Sequence, residues 1–213
     1  RPKNKEDIKK IIAFARENGT SIIPRGGGTS LAGQVVGLGI VADISKYMNK
    51  IVELNVDDKY VVVEPGVVLA ELNLLLAEHN LQFGPETSTA NRCVIGGMLG
   101  NNSCGLHSLV YGSVREHILE VEAILADGSE TTFKALSKTE FQQKLNGNPN
   151  KLEKAIYKNL NEILSDPENQ KEIREKFPEP KLTRRNMGYA IDALLNSEIF
   201  SKGKERFNFC KLL

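Results

Sequence analysis

The sequence predicts an α+β fold, on three observations. Short β-branched runs alternate with helix-period segments, Asp-containing turns join some of those runs into hairpins, and two glycine-dense stretches are set among them. At 213 residues, 40% hydrophobic and 26% charged, the chain has ordinary globular composition and can bury a real core.

The elements follow in order. "NKEDIKKIIAFARENGT" places Ile8, Ile11, Ile12 and Ala15 on one helical face and stops at Gly19. "SIIPRG" reads as a strand that runs into the loop "PRGGGTSLAGQ", and "GIVADI" as the next strand, so a β-α-β unit is expected within the first sixty residues. "IVELNVDDKYVVVEPG" is a hairpin broken at Asp57 and Asp58, and "VVLAELNLLLAEHN" a helix through Val68, Leu72, Leu75 and Leu76. The second glycine stretch, "CVIGGMLGNNSCG", comes next. "HILEVEAILADGSETTF" predicts two strands joined at Asp127-Gly128, the strongest short hairpin signal. From Ser137 to about Phe177 the pattern is helical and charge-rich, as expected for a solvated helical face covering a sheet.

Charge and composition exclude several functions. With 28 basic and 27 acidic residues the net charge is +1, so no global field favours nucleic acid or anionic membrane. No apolar run approaches the roughly 18 residues of a spanning helix, and the start lacks a signal-peptide core. Cys93, Cys104 and Cys210 have no C-x-x-C spacing, which argues against a disulfide framework, a zinc knuckle or an iron-sulfur site. A reducing, cytoplasmic location is expected. The chain opens on Arg1 and stops at the apolar "FNFCKLL", which predicts a piece of a longer protein.

The first glycine loop is the main chemical signal. A P-loop is absent, since Gly203-Lys204 is followed by Glu205. "GLGIVA" matches G-x-G-x-x-A but opens a β-branched run instead of a helix, so it is not a dinucleotide fingerprint. "RGGGTS" follows a strand, and successive glycines can turn several N–H groups toward one anion, with Thr29 and Ser30 adding hydroxyl donors. A pyrophosphate cradle and a strained turn without ligand both fit this loop alone. The second stretch puts Gly96, Gly97 and Gly100 where a short helix can approach a flat or phosphate-bearing ligand, followed by Asn101, Asn102 and Ser103. Two such stretches suggest two walls of one long site, which an extended dinucleotide would fill.

In order along the chain, "PRGGGTSLAGQ", "VVVEPGVVLAELNLLLAEHNLQFGPETST", "CVIGGMLGNNSCG", "YGSVREHILEVEAILADGS" and "RRNMGYAIDALL" resemble the FAD-binding domain of PCMH-type (vanillyl-alcohol oxidase-like) flavoproteins. The likeness is greatest to their branch of glycolate oxidase-like and D-lactate dehydrogenase-like proteins. The resemblance implies one FAD-binding domain over residues 1–213 with two α+β lobes: a small β-α-β lobe (1–60) and a larger mixed or antiparallel sheet flanked by helices (61–213). It implies a pyrophosphate loop of Gly26, Gly27, Gly28, Thr29 and Ser30, with Arg25 at its start and Gly33 and Gln34 at its end. Pro85, Thr87 and Ser88 would run beside the flavin. Cys93, Gly96, Gly97, Gly100, Asn101 and Gly105 would form the second wall, and Tyr111 and Gly112 match the family's Tyr-Gly pair. No histidine lies in the first loop to tether a flavin, so the FAD is expected to be non-covalent.

The resemblance further implies hydride transfer to FAD from a D-2-hydroxy acid such as D-lactate, glycolate or D-2-hydroxyglutarate, with a separate electron acceptor. The family's substrate domain, which carries the usual catalytic histidine and metal ligands, is not expected within these residues. The alternatives are an FAD-linked oxidase of sugars, lactones or alcohols, and a non-catalytic nucleotide-binding module. Among the remaining candidates, Cys93 and Cys104 are expected as packed thiols and His79 as a helix-end cap. His107 and His117 lie near the second wall, either facing the flavin or on the surface. Asp43 has a hydrogen-bonding or a turn role, and Arg184 and Arg185 are a carboxylate clamp or a solvated pair.

Overall fold

Asn4 caps the first helix, its side chain accepting from the Asp7 amide at 3.0 Å, while Glu6 and Asp7 in the first turn and Arg16 in the last complement the helix dipole. That helix, α1 (Lys5–Glu17), buries Ile12 and Ala15, with Ile8 and Ile11 half-buried beside them, as its spacing predicts. The computed structural model describes residues 1–147, 150–179, 181–182, 188–201, 203 and 205–212. Arg184 and Arg185 lie outside the described residues.

Two compact units make up the chain, Arg1–His117 and Ile118–Leu213. In the first, β1 (Ile22–Arg25) and β2 (Ile40–Asp43) pair in parallel with Ile22 opposite Ile40 and Arg25 opposite Asp43. The expected β-α-β unit is corrected here: the connection between these strands is the glycine loop, with no helix in it. Its glycines hold the crossover in bends and turns instead. β3 (Ile51–Asn55) and β4 (Tyr60–Val63) form the expected hairpin, with Asp58 N donating to Asn55 Oδ1 at 2.8 Å and Lys59 left-handed at φ 55°. α2 (Leu69–Ala77) buries Leu69, Leu72 and Leu76, and α3 (Ile95–Gly100), α4 (Ser108–Tyr111) and α5 (Val114–His117) complete the unit.

The division expected near residue 60 falls inside this unit. Backbone bonds join the chain on both sides of it: Gly66 N to Met48 O at 2.7 Å and Glu64 N to Lys50 O at 2.9 Å.

The second unit is an antiparallel sheet backed by helices. β5 (Glu120–Ile124) pairs with β6 (Glu130–Leu136) across the Asp127–Ser129 turn, where Gly128 stands at φ 84°; β7 (Phe207–Asn208) adds on the other side of β6. "FNFCKLL" gives only this two-residue strand before Phe209–Leu212 winds into a 3₁₀ turn. Helices α6 (Lys138–Asn146), α7 (Lys151–Ser165), α8 (Pro167–Lys176) and α9 (Ile191–Leu195) surround a core containing Phe133, Phe141, Tyr157, Leu164, Leu195 and Phe207. α6 carries a complete capping box from Ser137 and Glu140, and Asp166 caps α8 with Pro167 following.

Candidate functional site

The candidate residues of both glycine stretches lie in the first unit. β1 delivers Arg25 and the loop after it to an open cleft of about 540 Å³, lined by Arg1, Arg25, Gly26, Gly27, Val41, Asp43 and Ser45. Within that loop the three glycines answer to different neighbours. A methyl group on Gly26 would overlap the Val94 side chain, and one on Gly27 would overlap the Arg92 carbonyl oxygen. Gly28 is left-handed at φ +64°, a conformation glycine adopts at least cost. The Arg25 guanidinium is folded over it, its Nη2 2.7 Å from where a β-carbon would stand.

Arg25 is half-buried and its guanidinium, among the described residues, has no hydrogen-bond or ion-pair partner; neither have the side chains of Thr29 and Ser30. The loop therefore presents one cation and two hydroxyls with their bonding capacity unspent. Gly33, at φ 81°, and Gln34 are exposed further along.

Asp43 at the end of β2 has a hydrogen-bonding role. Its Oδ1 accepts from Ser45 Oγ at 2.6 Å and Ser45 N at 3.0 Å, and its Oδ2 stands 3.5 Å from Arg1 Nε. The Ser45 hydroxyl bond, aided by the backbone amide and Arg1 and opposed by desolvation, holds the carboxyl below its ordinary range.

In the second stretch Gly96 packs on Pro65, whose Cβ lies 2.5 Å from where a β-carbon would be, and its amide donates to Pro65 O at 2.8 Å. Gly97 and Gly100 differ. Both are exposed on the same helical face, and a β-carbon would meet only Val94 Cγ2, at 3.6 Å, from Gly97 and nothing within 4 Å from Gly100. Neither has left-handed backbone, so each forfeits up to about 1 kcal/mol of helix propensity relative to alanine with no return inside the protein. Asn101 closes the helix and its side-chain amide donates to Ser103 Oγ at 3.2 Å. The buried Cys93 thiol packs beside Thr87 Oγ1 at 3.3 Å and Met98 Sδ at 3.6 Å, as a small core side chain.

The remaining candidates form a zipped pair of segments. Pro85 is buried, Thr87 half-buried and Ser88 exposed. Gly105 lies so close to the Glu86 carbonyl that any side chain there would overlap it, and the Tyr111 ring covers Gly84, with Cγ 2.6 Å from a would-be β-carbon. Gln82 Nε2 donates to Tyr111 Oη at 2.7 Å, and Gly112 turns the chain at φ 71°. His107 Nδ1 pairs with Glu86 Oε2 at 2.6 Å, and His117 Nε2 bonds Tyr111 O at 2.7 Å while its ring meets Phe83 edge-on. Both histidines are thus bound into this pair of segments. His79 is exposed just past α2, its backbone amide donating to Leu76 O at 3.0 Å. Sequence reasoning missed Glu86 and Val94, whose roles arise from segments far apart in the chain.

A family model described as FAD binding domain matches residues 1–134, well over half of the chain and all of the first unit. The chain belongs to that family. FAD is the cofactor of this FAD-binding domain, and the unspent donors beside bare backbone fit an anionic, flat-ended ligand of that kind.

Its relatives narrow the branch. A D-2-hydroxyglutarate dehydrogenase of Pantoea ananatis is 35% identical over 215 residues, covering 100% of this chain and 20% of the relative. A mitochondrial cytochrome-type D-lactate dehydrogenase of Kluyveromyces lactis is 37% identical over 132 residues, covering 60% of the chain and 23% of the relative. This FAD-binding domain thus spans about a fifth of the length of those relatives. The solved 6-hydroxy-D-nicotine oxidase of Arthrobacter nicotinovorans superposes with a TM-score of 0.57 at 23% identity, over 68% of this chain and 30% of that one, a likeness of fold. Among the described residues no helix is long and apolar enough to cross a membrane.

Proposed function

We propose that this chain is the FAD-binding part of a dehydrogenase that oxidises a D-2-hydroxy acid of the D-2-hydroxyglutarate, D-lactate or glycolate class and passes the electrons to a separate acceptor. The observation that carries the binding mode is the unpartnered guanidinium of half-buried Arg25 lying on a glycine loop. An unpartnered guanidinium at an open cleft beside bare backbone is well suited to bind an anion through charge-assisted hydrogen bonds.

In this reading Arg25, the amides of Gly26, Gly27 and Gly28, and the Thr29 and Ser30 hydroxyls hold the pyrophosphate, with Gly33 and Gln34 at the loop's end. The exposed Gly97–Gly100 face lets the helix backbone approach the cofactor, supported by Gly96 and continued by Asn101. Thr87 and Ser88 line the same wall, the buried Pro85 and Cys93 are part of its support, and Gly105, Tyr111 and Gly112 hold it in shape. The cofactor, when bound, supplies the hydride acceptor for the substrate's α-carbon. This chain's residues bind and orient it, and the group that takes the hydroxyl proton belongs to a substrate domain outside these residues. Binding is non-covalent, because no histidine lies in the loop from Gly26 to Ser30. The names of the relatives and the 100% coverage of this chain by the first of them support the substrate class.

An absorbance spectrum of the purified chain after incubation with FAD and desalting, repeated on the supernatant after acid precipitation, tests the reading. The expected result is flavin absorbance that co-elutes with the protein and leaves with the supernatant. Flavin that stays in the acid pellet would overturn the non-covalent assignment, and none co-eluting with folded protein would overturn the binding site.

A further inference from the structure

We infer that Val94 is the positioning residue that sets the first glycine loop against the glycine helix, so that one side chain fixes the spacing of the two walls. The inference rests on the FAD reading only for its effect on affinity; the contact itself stands on geometry.

Val94 is 2% exposed and sits in extended backbone, φ −113° and ψ 150°, immediately before α3. Its backbone is fixed from both directions. It forms an antiparallel bridge with Val68, its carbonyl accepts from Met98 N at 2.9 Å, and the flanking Cys93 and Ile95 bond Leu69 and Val67 at 3.1 and 2.9 Å. A β-branched side chain on so constrained a backbone has little rotamer freedom. The Val94 Cγ2 methyl therefore occupies a fixed place.

That place is the space a side chain on Gly26 would need, and it lies 3.6 Å from the β-carbon position of Gly97. A single isopropyl group of the second glycine stretch thus meets the first at Gly26, while the Arg92 carbonyl two residues earlier fills the space beside Gly27. The bare backbone of Gly26 and Gly27 is accordingly matched to the 92–94 segment. Sequence places these stretches about seventy residues apart; Val94 joins them physically.

The test is a double-mutant cycle in the full chain with Gly26→Ala, Val94→Ala and the double variant, reading FAD affinity by flavin fluorescence and the thermal midpoint without FAD. Gly26→Ala is expected to weaken FAD binding about tenfold or more and to lower the midpoint, because its methyl collides with Cγ2. Removing the Val94 methyls makes room for it, so the double variant is expected to bind FAD more tightly than Gly26→Ala alone, by roughly fivefold or more. Leu72→Ala, a comparable core truncation on α2, is expected to lower the midpoint while leaving the affinity of the folded protein unchanged.

Losses that merely add in the double variant would overturn the inference. So would a Leu72→Ala loss of affinity equal to that of Val94→Ala. If Gly26→Ala alone fails to fold, folding of the double variant supports the contact and its failure beside a folded Val94→Ala overturns it. If the wild-type chain does not bind FAD, the FAD reading falls, and the coupling in thermal midpoints decides the Val94–Gly26 contact by itself.

Discussion

The two compact units are built by opposite means. Among the described residues the first buries small and aliphatic side chains, Ala15, Ala42, Cys93, Val94, Ile95 and Met98 among them, and gains its tightest contacts where bare glycine backbone meets another segment. The second is held by aromatics: Phe141 meets Tyr157, Phe200 and Phe207 edge-on at 5.8, 5.6 and 4.9 Å, and Phe133 stacks on Phe209 at 4.4 Å. The first unit also leaves Leu31, Leu38, Leu106, Leu109 and Val110 exposed. In the proposed reading stability and ligand chemistry are separated: one unit brings bare glycine backbone against other segments around its cleft, the other supplies an aromatic core.

The sharpest way to break that contrast is Phe141→Ala. Phe141 is fully buried, so its truncation is expected to cost about 3–5 kcal/mol in a denaturant unfolding curve. FAD affinity per folded molecule should be unchanged; an affinity loss of tenfold in folded protein would show that the separation is false. Arg25→Ala is the converse. It removes the unpartnered guanidinium and should weaken FAD roughly 10- to 100-fold, the worth of a charge-assisted hydrogen bond, with little change in the melting midpoint of the free protein.

Gly97→Ala sharpens the comparison further, because stability and binding should move in opposite directions. With ordinary helical backbone and only a 3.6 Å contact to accommodate, alanine there is expected to raise the stability of the free protein by up to about 1 kcal/mol while weakening FAD binding. Paired calorimetry with and without FAD reads both. The smallest effect belongs to Ser45→Ala. The folded-state pKa of Asp43 is depressed, chiefly by the Ser45 hydroxyl, so its stabilisation is present above the ordinary Asp value of about 3.9 and is lost as pH falls through the lower folded value. Losing the hydroxyl should flatten that acid-side decline, seen as a smaller fall in melting midpoint from pH 6 to pH 3.

Much of the fold was legible because its signals are local. The capped, amphipathic α1 and the Asp127-Gly128 hairpin each carry their own instructions within a few residues. The link between β1 and β2 was legible as a loop from its glycines, but the direct parallel pairing of the two strands across it was not, since a parallel pair ordinarily needs a long crossover and a helix is its usual form. Nor was the division at His117, because the bonds that join Met48 to Gly66 and Val67 to Ile95 are tertiary. For the candidate site, glycine density pointed to two segments that meet in the structure. Which glycine meets protein, as Gly26 does at Val94, and which faces open space, as Gly100 does, depends on the approach of chain some seventy residues away.

The most direct test of the central claim is a calorimetric titration of FAD into the wild-type chain, repeated with saturating ADP present. The account predicts saturable binding of one FAD per chain that ADP weakens by competing for the Arg25–Ser30 loop. Folded protein that gives no saturable heat with FAD, or FAD binding indifferent to ADP, would contradict it.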